Sequence, residues 1–348
     1  MLSGSRSDVT VSLCTDGLLW DRYVNAHQDG TVDHAWAWRR VFERVLRHEC
    51  YYLAATRATR IVGTLPLVFV RSFLFGRVLI SVPFLNYGGV LADDSAATQA
   101  LLDASRDAAV RMRASHVELR HGVRQTTSLP FRQHKVGMQL ELSGSSEVLW
   151  TALDRKVRNQ VRKAQKEDLT TRSGRNELVD DFYRVFALNM RDLGTPVVPK
   201  RLFIETLAAF GDRAQITLVM LKDQPVAGGF TVEANGVVLN PWASSLREFR
   251  PLCPNVLLYW TMINNAIAAG ARAFDFGRSS TDSGPHQFKL QWGATERPLH
   301  WEYILLSRKE TPDQGPSNPR FEAAIAAWQR LPLWMANAIG PRLARHLP

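Results

Sequence analysis

The sequence predicts an α/β (α+β) fold of two tandem domains with similar topology, followed by an amphipathic helical tail. Three observations carry this. The chain has 348 residues, more than one core usually serves and enough for two domains of about 150 residues each. One order of elements can be read twice along it. Beyond Arg308 the character changes, as a polar Pro-rich stretch leads into short pieces bearing Trp and Arg.

In the first half, AWAWRRVFERVL (35–46) has the apolar spacing of a helix, and YYLAATRATRIVGTLPLVFV (51–70) reads as two strands around a polar turn. VLISVPFLNYGGVLAD (78–93) is an apolar strand broken by Pro83 and by Gly88 and Gly89. A helix at 95–114 then leads into the short strand HVELR (116–120), and KVGMQLEL (135–142) closes the half. The second half repeats the order. Helices at 146–166 and 178–194 precede strands at 214–244 joined by turns at KDQP and EANG. A helix at 254–271 leads into AFDFG (273–277), and LHWEYILL (299–306) closes it. The implied domains are 1–145 and 146–308, with linker and tail at 309–348. Glu118 and Arg120 fall in the first copy where Asp275 and Arg278 fall in the second.

KETPDQGPSNP (309–319) reads as a linker. After it, Trp328, Leu331, Trp334, Met335 and Ile339 stand among Arg320, Arg330, Arg342 and Arg345, and Pro332 and Pro341 limit any helix to short pieces. Such a segment at 320–348 either docks on the second domain or lies against the inner membrane.

Composition narrows the class. Hydrophobic residues make up 45% and charged residues 22%, the profile of a soluble globular protein. No run of ~18 uncharged apolar residues predicts a membrane span, and the first residues lack a signal-peptide pattern. Cys14, Cys50 and Cys253 form no CxxC pair, which fits a reducing cytoplasm better than a disulfide framework. The net charge of +10 favours anionic partners. His116, His121, His134 and His286 lack ligand spacing, so no metal is expected. Phosphate-loop, dinucleotide, HExxH and GxSxG motifs are absent, as is an Arg-x-x-Gly-x-Gly/Ala pyrophosphate loop.

Two stretches carry candidate chemistry. On a helix through RKVRNQVRKAQK (155–166), Arg155, Arg158, Arg162 and Lys166 occupy roughly one quarter of the circumference. Leu153, Val157, Val161 and Ala164 face the other way. Mutual repulsion among the cations is relieved by a phosphate-rich ligand, although a solvated face fits the pattern equally. The second stretch is GPHQFKLQWGA (284–294), where Lys289 stands between Phe288 and Trp292. It reads as a loop burying the lysine stem and aiming its charge at a substrate, with Asp275 and Arg278 presented from a strand end. A core-covering loop is the alternative. Trp242, Asn255 and Tyr87 are further candidate contacts. Asn255 sits near a helix cap and Tyr87 precedes a glycine pair, so each has a structural explanation as well.

The segments KVRNQVRKAQK, NMRDLGTP, NPWASS, PNVLLYW, FDFGRSSTDSG and FKLQWGA, in this order, resemble the FemAB family. More narrowly, they resemble FemAB-related proteins of PEP-CTERM/exosortase and exopolysaccharide loci. The likeness runs over roughly 20–307 and is strongest from Lys156 to Tyr303. It implies two tandem GNAT-like domains. It also implies aminoacyl transfer from aminoacyl-tRNA to an amine of a lipid- or nucleotide-linked precursor, with no metal and no covalent enzyme intermediate. By the same resemblance Lys289 is the active-site lysine, and Lys156, Arg158 and Arg162 supply phosphate-binding charge. The long helical hairpin of FemA-type enzymes has no counterpart, since about ten residues (168–177) separate the two helices. Acyl-CoA therefore stands beside aminoacyl-tRNA as a co-substrate. The expected partner is an anionic precursor, a lipid- or nucleotide-diphosphate saccharide, with tRNA as a second candidate. A CoA-dependent N-acyltransferase and a non-catalytic scaffold for polyanions or membranes are the rival readings.

Overall fold

The longest strands are runs buried on both faces, at 60–72 and 224–234, and short polar turns join the hairpins. The computed structural model describes residues 9–126, 128–133, 135–308, 310–312 and 322–347. His134, Arg320 and all but three residues of the expected linker lie outside these.

In chain order the strands are β1 (Val9–Leu13), β2 (Glu49–Arg57), β3 (Arg60–Ser72), β4 (Gly76–Ser81), β5 (Leu91–Ala92), β6 (His116–His121) and β7 (Phe131–Arg132). They continue as β8 (Val136–Glu141), β9 (Leu169–Gly174), β10 (Ala214–Leu221), β11 (Gln224–Ala234), β12 (Val237–Ser245), β13 (Ala273–Ser279), β14 (Thr295–Pro298) and β15 (His300–Leu305). The helices are α1 (Gly17–Ala26), α2 (Ala37–Val41), α3 (Ser95–Arg111), α4 (Ser146–Ala152), α5 (Arg155–Lys166) and α6 (Val179–Asp192). After them come α7 (Lys200–Phe210), α8 (Pro254–Ala268), α9 (Gly284–Leu290), α10 (Glu322–Gln329) and α11 (Leu333–Ala344).

These elements form two compact units. The first takes the described residues within 1–133, 298–311 and 346–348, and the second those within 134–297 and 312–345. The first unit's sheet runs β1-β2-β3-β4-β6-β15-β7, with β5 beside β3. Leu101 and Leu102 of α3 pack on Leu53, Leu65, Leu67 and Val117 of this sheet. Its other face holds Trp20, Val24 and Tyr52, with the Trp20 indole donating to the His34 carbonyl at 2.7 Å.

The second unit's sheet runs β14-β8-β13-β12-β11-β10-β9. Val157, Val161 and Ala164 of α5 and Leu258, Met262 and Ile263 of α8 share a core with Phe274, Phe276 and Trp292. The inward set read from the basic helix, Leu153 included, is thus buried. On the other face Phe182, Phe203, Phe230 and Trp242 pack edge to face, with centroids 4.9 Å apart for Phe182–Phe203 and 5.5 Å for Phe230–Trp242.

Both sheets use one pattern: antiparallel strands, one parallel pair, then an antiparallel closing strand. The parallel pairs are β4 with β6 and β12 with β13. The closing strands are exchanged. The sequence reading gives 135–142 to the first domain and 299–306 to the second, yet β8 pairs with β13 and β15 pairs with β6. The boundaries at 145 and 308 therefore do not follow the sheets. Sequence order misses this because both strands alternate alike and either could complete either sheet. The stretch 168–177, read only as a connection, supplies β9, the edge partner of β10.

The tail docks on the second unit. Gly194 lies against Ile325 and Gly340 against Val197, and the Arg191 guanidinium donates to the Leu331 carbonyl at 3.1 Å. Pro332 caps α11, but Pro341 sits inside it rather than ending it. A proline this near the C-terminal end of a helix removes a single N–H bond. Among the described residues no helix is long and apolar enough to cross a membrane.

The exchange has a direct consequence. Trp301, Tyr303 and Ile304 are buried in the first unit, so a chain ending at Arg297 is expected to lose protection of residues 9–126 in limited proteolysis. Unchanged protection there would show that β15 is dispensable to that sheet.

Candidate active site

The site begins with a register fault. Along β13 and β8, Asp275 faces Gln139 and Arg278 faces Gly137, so three steps on one strand meet two on the other. That is a β-bulge. Gly277 lies within it at φ 70°, a left-handed conformation that side chains with Cβ resist. The Gly277 N–H donates to Oδ1 of Asp275 at 2.6 Å. The Gly277 and Arg278 carbonyls accept from Nζ of Lys289 at 3.2 and 3.0 Å.

Lys289 comes from α9, so the expected loop is in fact a helix. Ser283 caps it by accepting the His286 N–H at 3.3 Å, and Pro285 falls in the first turn, where a missing N–H costs nothing. His286 is fixed by Glu296, Nε2 to Oε1 at 2.8 Å. Phe288 and Trp292 gather about Tyr259, with centroids 5.1 Å apart for Phe288–Tyr259 and 6.1 Å for Phe288–Trp292. Lys289 is only 7% exposed. Burial pushes its pKa down to about 8; Asp275 works against that shift and Arg278 with it.

A third cation was not singled out from sequence. Lys135, directly before β8, donates from Nζ to the Ser280 hydroxyl, and burial followed by the Arg278 charge lowers its pKa. Lys135, Arg278 and Lys289 thus meet with Asp275 at the end of β13. Lys135 belongs to a strand read as part of the other domain, so no local motif flags it.

Asp154 caps α5 by accepting the Lys156 N–H at 2.6 Å. Lys156, Arg162, Lys163 and Lys166 are exposed and Arg158 is half-buried. An open groove of about 530 Å³ is lined by Asp154, Arg155, Lys156, Asn159, Gln160 and Lys163. Arg162 lies over the Trp150 ring at 5.3 Å. Among the described residues no carboxylate forms an ion pair with Lys156, Arg158 or Arg162. The helix shares the second unit's core with Trp292, but no hydrogen bond links it to Lys289.

The remaining candidates are placed elsewhere. Trp242 on β12 is half-buried between Phe203 and Phe230, a packing role. Asn255 is the second residue of α8, not its cap, which is Cys253 at φ 58°. Tyr87 belongs to the first unit, where its N–H donates to Asp33 Oδ2 at 2.8 Å.

β12 and β13 pair only from Val237–Leu239 to Ala273–Asp275, although β12 runs on to Ser245. Beyond Asp275 they part, leaving a wedge at the bulge. After β12 the chain enters α8 through a 3-10 segment at Arg247–Leu252. Pro251 and Pro254 remove two N–H donors there, and the Phe249 and Cys253 N–H groups bond within the segment, to Leu246 and Arg250. Few backbone donors are left to cradle a pyrophosphate.

At the corresponding place in the first unit, Glu118 ends the parallel pairing with Ile80. Arg120 pairs with Glu118 at 2.8 Å, donates to the Leu85 carbonyl at 2.8 Å and lies 4.3 Å from the Trp301 ring. Its own side chains fill this opening. Nearby, Glu302 Oε2 stands 2.7 Å from His121 Nδ1. Burial alone raises the Glu302 pKa, but His121 and the Gln125 and Thr126 N–H groups outweigh it, holding the carboxyl below its usual range. Among the described residues no three His, Cys, Asp or Glu side chains are placed to hold a metal.

Two substitutions test this geometry. Gly277→Ala is expected to cost about 1–2 kcal/mol in denaturant unfolding. Lys289→Met strands two buried carbonyls, at about 1–3 kcal/mol. It also removes a pH effect. The folded chain releases the Lys289 proton near pH 8 and the unfolded chain near 10.5, so the unfolded state binds more protons between these values. Stability from this group therefore rises with pH across that window, and a pH series of unfolding midpoints should show the rise in the parent and not in Lys289→Met.

Residues 153–290 match the family model described as acetyltransferase (GNAT) domain, a span holding α5, Asp275 and Lys289. No curated protein matches the sequence. Among solved structures, FemX is similar over 86% of this chain and 98% of its own, with 16% identity and a TM-score of 0.67. The L-PGS of Bacillus licheniformis is similar over 91% of this chain and 98% of its own, with 11% identity and a TM-score of 0.54. A tandem GNAT protein of the clavulanic acid biosynthesis pathway is similar over 85% of this chain and 97% of its own, with 11% identity and a TM-score of 0.50. Residues 153–290 thus resemble a GNAT acetyltransferase domain, in a chain whose fold is two GNAT-like domains in tandem.

Proposed function

We propose that this protein is a FemAB-like acyl or aminoacyl transferase, forming an amide on an amine of a cell-envelope or exopolysaccharide precursor. The observation that carries the reading is the buried Lys289 ammonium beside Asp275 and Arg278, at the wedge where β12 and β13 part. The acceptor amine attacks the activated carbonyl of the acyl donor. A C–N bond forms, the ester or thioester bond breaks, and the amine proton leaves to Asp275 or to the departing group. Nζ of Lys289 has three N–H donors, two of them held by carbonyls, and the third stabilises the developing oxyanion or a substrate phosphate. Lys135 and Arg278 add to the field. Asp275, one oxygen of which Gly277 already holds, orients the amine or takes its proton.

Lys156, Arg158 and Arg162 bind the diphosphate of the precursor, a lipid- or nucleotide-linked saccharide of the PEP-CTERM/exosortase type. Few backbone donors are left between β12 and α8, which favours a donor other than CoA, and aminoacyl-tRNA is the donor we infer. The GNAT match supports acyl-CoA as the second reading. The site of action is the cytoplasmic face of the inner membrane.

Purified protein incubated separately with charged tRNA and with acetyl-CoA, alongside amino-sugar acceptors, is expected to show mass transfer from the tRNA. Transfer from acetyl-CoA alone moves the protein to the second reading, and none from either removes the assignment. Lys289→Met should cut turnover about 10²-fold or more, and Arg158→Ala with Arg162→Ala should raise KM. Activity that needs the ammonium should fall as pH rises through about 8. A profile flat to pH 10 would remove Lys289 from the chemistry.

A further inference from the structure

We propose that the tip of the β3–β4 hairpin is a contact site for an anionic lipid bilayer, with Phe73 and Leu74 entering the interface. The turn is built rather than loose. Ser72 pairs with Gly76 across it, and the Ser72 hydroxyl accepts the Leu74 and Phe75 N–H groups at 3.1 and 3.0 Å. Gly76, at φ 79°, supplies the left-handed corner. This holds Phe73 and Leu74 outward, 68% and 54% exposed. Two adjacent large apolar side chains on a rigid tip mark an interaction surface rather than a stray exposed residue.

The collar around the tip is basic. Arg71 and Arg77 face each other across the hairpin, and like charges in that register destabilise a sheet. Arg71 has Glu49 as a partner; Arg77 has no ion pair among the described residues. The Arg77 carbonyl accepts the Ser115 N–H at 2.8 Å, two residues after exposed Arg113. Arg111 and Arg71 both bear on Tyr51. The ring of His346 meets Phe73 edge-on at 4.7 Å. An apolar wedge ringed by arginines complements an interface with negative headgroups, where each cation near the surface adds to attraction.

The full chain is tested by co-sedimentation with vesicles of phosphatidylcholine alone and of phosphatidylcholine with 30% phosphatidylglycerol, as a probe composition of roughly the charge of an acidic leaflet. Retention on the anionic vesicles and not on the neutral ones is expected. Phe73→Ser with Leu74→Ser should weaken it about 10-fold or more, and Arg77→Gln about 5-fold. Both changes are at exposed positions, so an unaltered thermal melt separates lost binding from lost folding. No retention, equal retention on neutral vesicles, or full retention by the double variant overturns the proposal. So does loss of retention in Trp334→Ser with the double variant unchanged, which assigns binding to the tail. Self-association abolished by the double variant, without vesicle binding, makes the tip a contact between copies and also overturns it.

Discussion

The end of β13 in the second unit is held by one buried ammonium on two carbonyls. A bulge in a paired strand ordinarily leaves backbone groups without ladder partners. Here the fault between Asp275 and Arg278 turns two carbonyls toward Lys289, and the lysine satisfies both. Burial takes water from the cation and lowers its pKa, and the Asp275 charge limits the fall to about 8 against the push of Arg278. Asp275 closes the bulge from the other side by holding the Gly277 N–H. Fold and candidate chemistry therefore share the same atoms. The two carbonyl bonds fix where Nζ of Lys289 sits.

The two units show what the same strand pattern does with different residues. In each, a parallel pair stops at a carboxylate: Glu118 opposite Ile80, Asp275 opposite Leu239. In the first, Arg120 lies two residues on, and its guanidinium spans Glu118, the Val82 and Leu85 carbonyls and the Trp301 face. In the second, glycine stands at that offset. With no side chain at Gly277, the lysine from α9 approaches the backbone instead. The first copy fills the place with its own arginine; the second brings a lysine to it from another element.

Much of this was legible in the sequence. Hairpins, helices and the repeated order follow from local periodicity, and the inward face of α5 follows from the spacing of Val157, Val161 and Ala164. Lys289, Asp275 and Arg278 were separable as a group because they are close in sequence. The exchange of β8 and β15 was not legible, since Val136, Met138 and Leu140 alternate just as Trp301 and Tyr303 do. Lys135 went with it: a lone lysine before a strand has no signature until its neighbour is known. Trp242 and Tyr87 were singled out without their neighbours: Trp242 packs with Phe203 and Phe230, and the Tyr87 backbone N–H bonds to the Asp33 carboxylate, which no local pattern foretold.

The entry to α8 bears on the acyl donor through backbone chemistry alone. A helix N-terminus offers anions its first free N–H groups and the positive end of its dipole. Pro254 removes the first of these and Pro251 removes another just upstream, while Arg250 and Leu246 carbonyls occupy the N–H groups of Cys253 and Phe249. Positive charge is instead concentrated on side chains, at Lys135, Arg278 and Lys289 in one place and along α5 in another. Side-chain cations bind phosphates without fixing their spacing as closely as a backbone cradle does. The charge at both places is therefore carried on side chains, and the backbone at the entry to α8 contributes little to it.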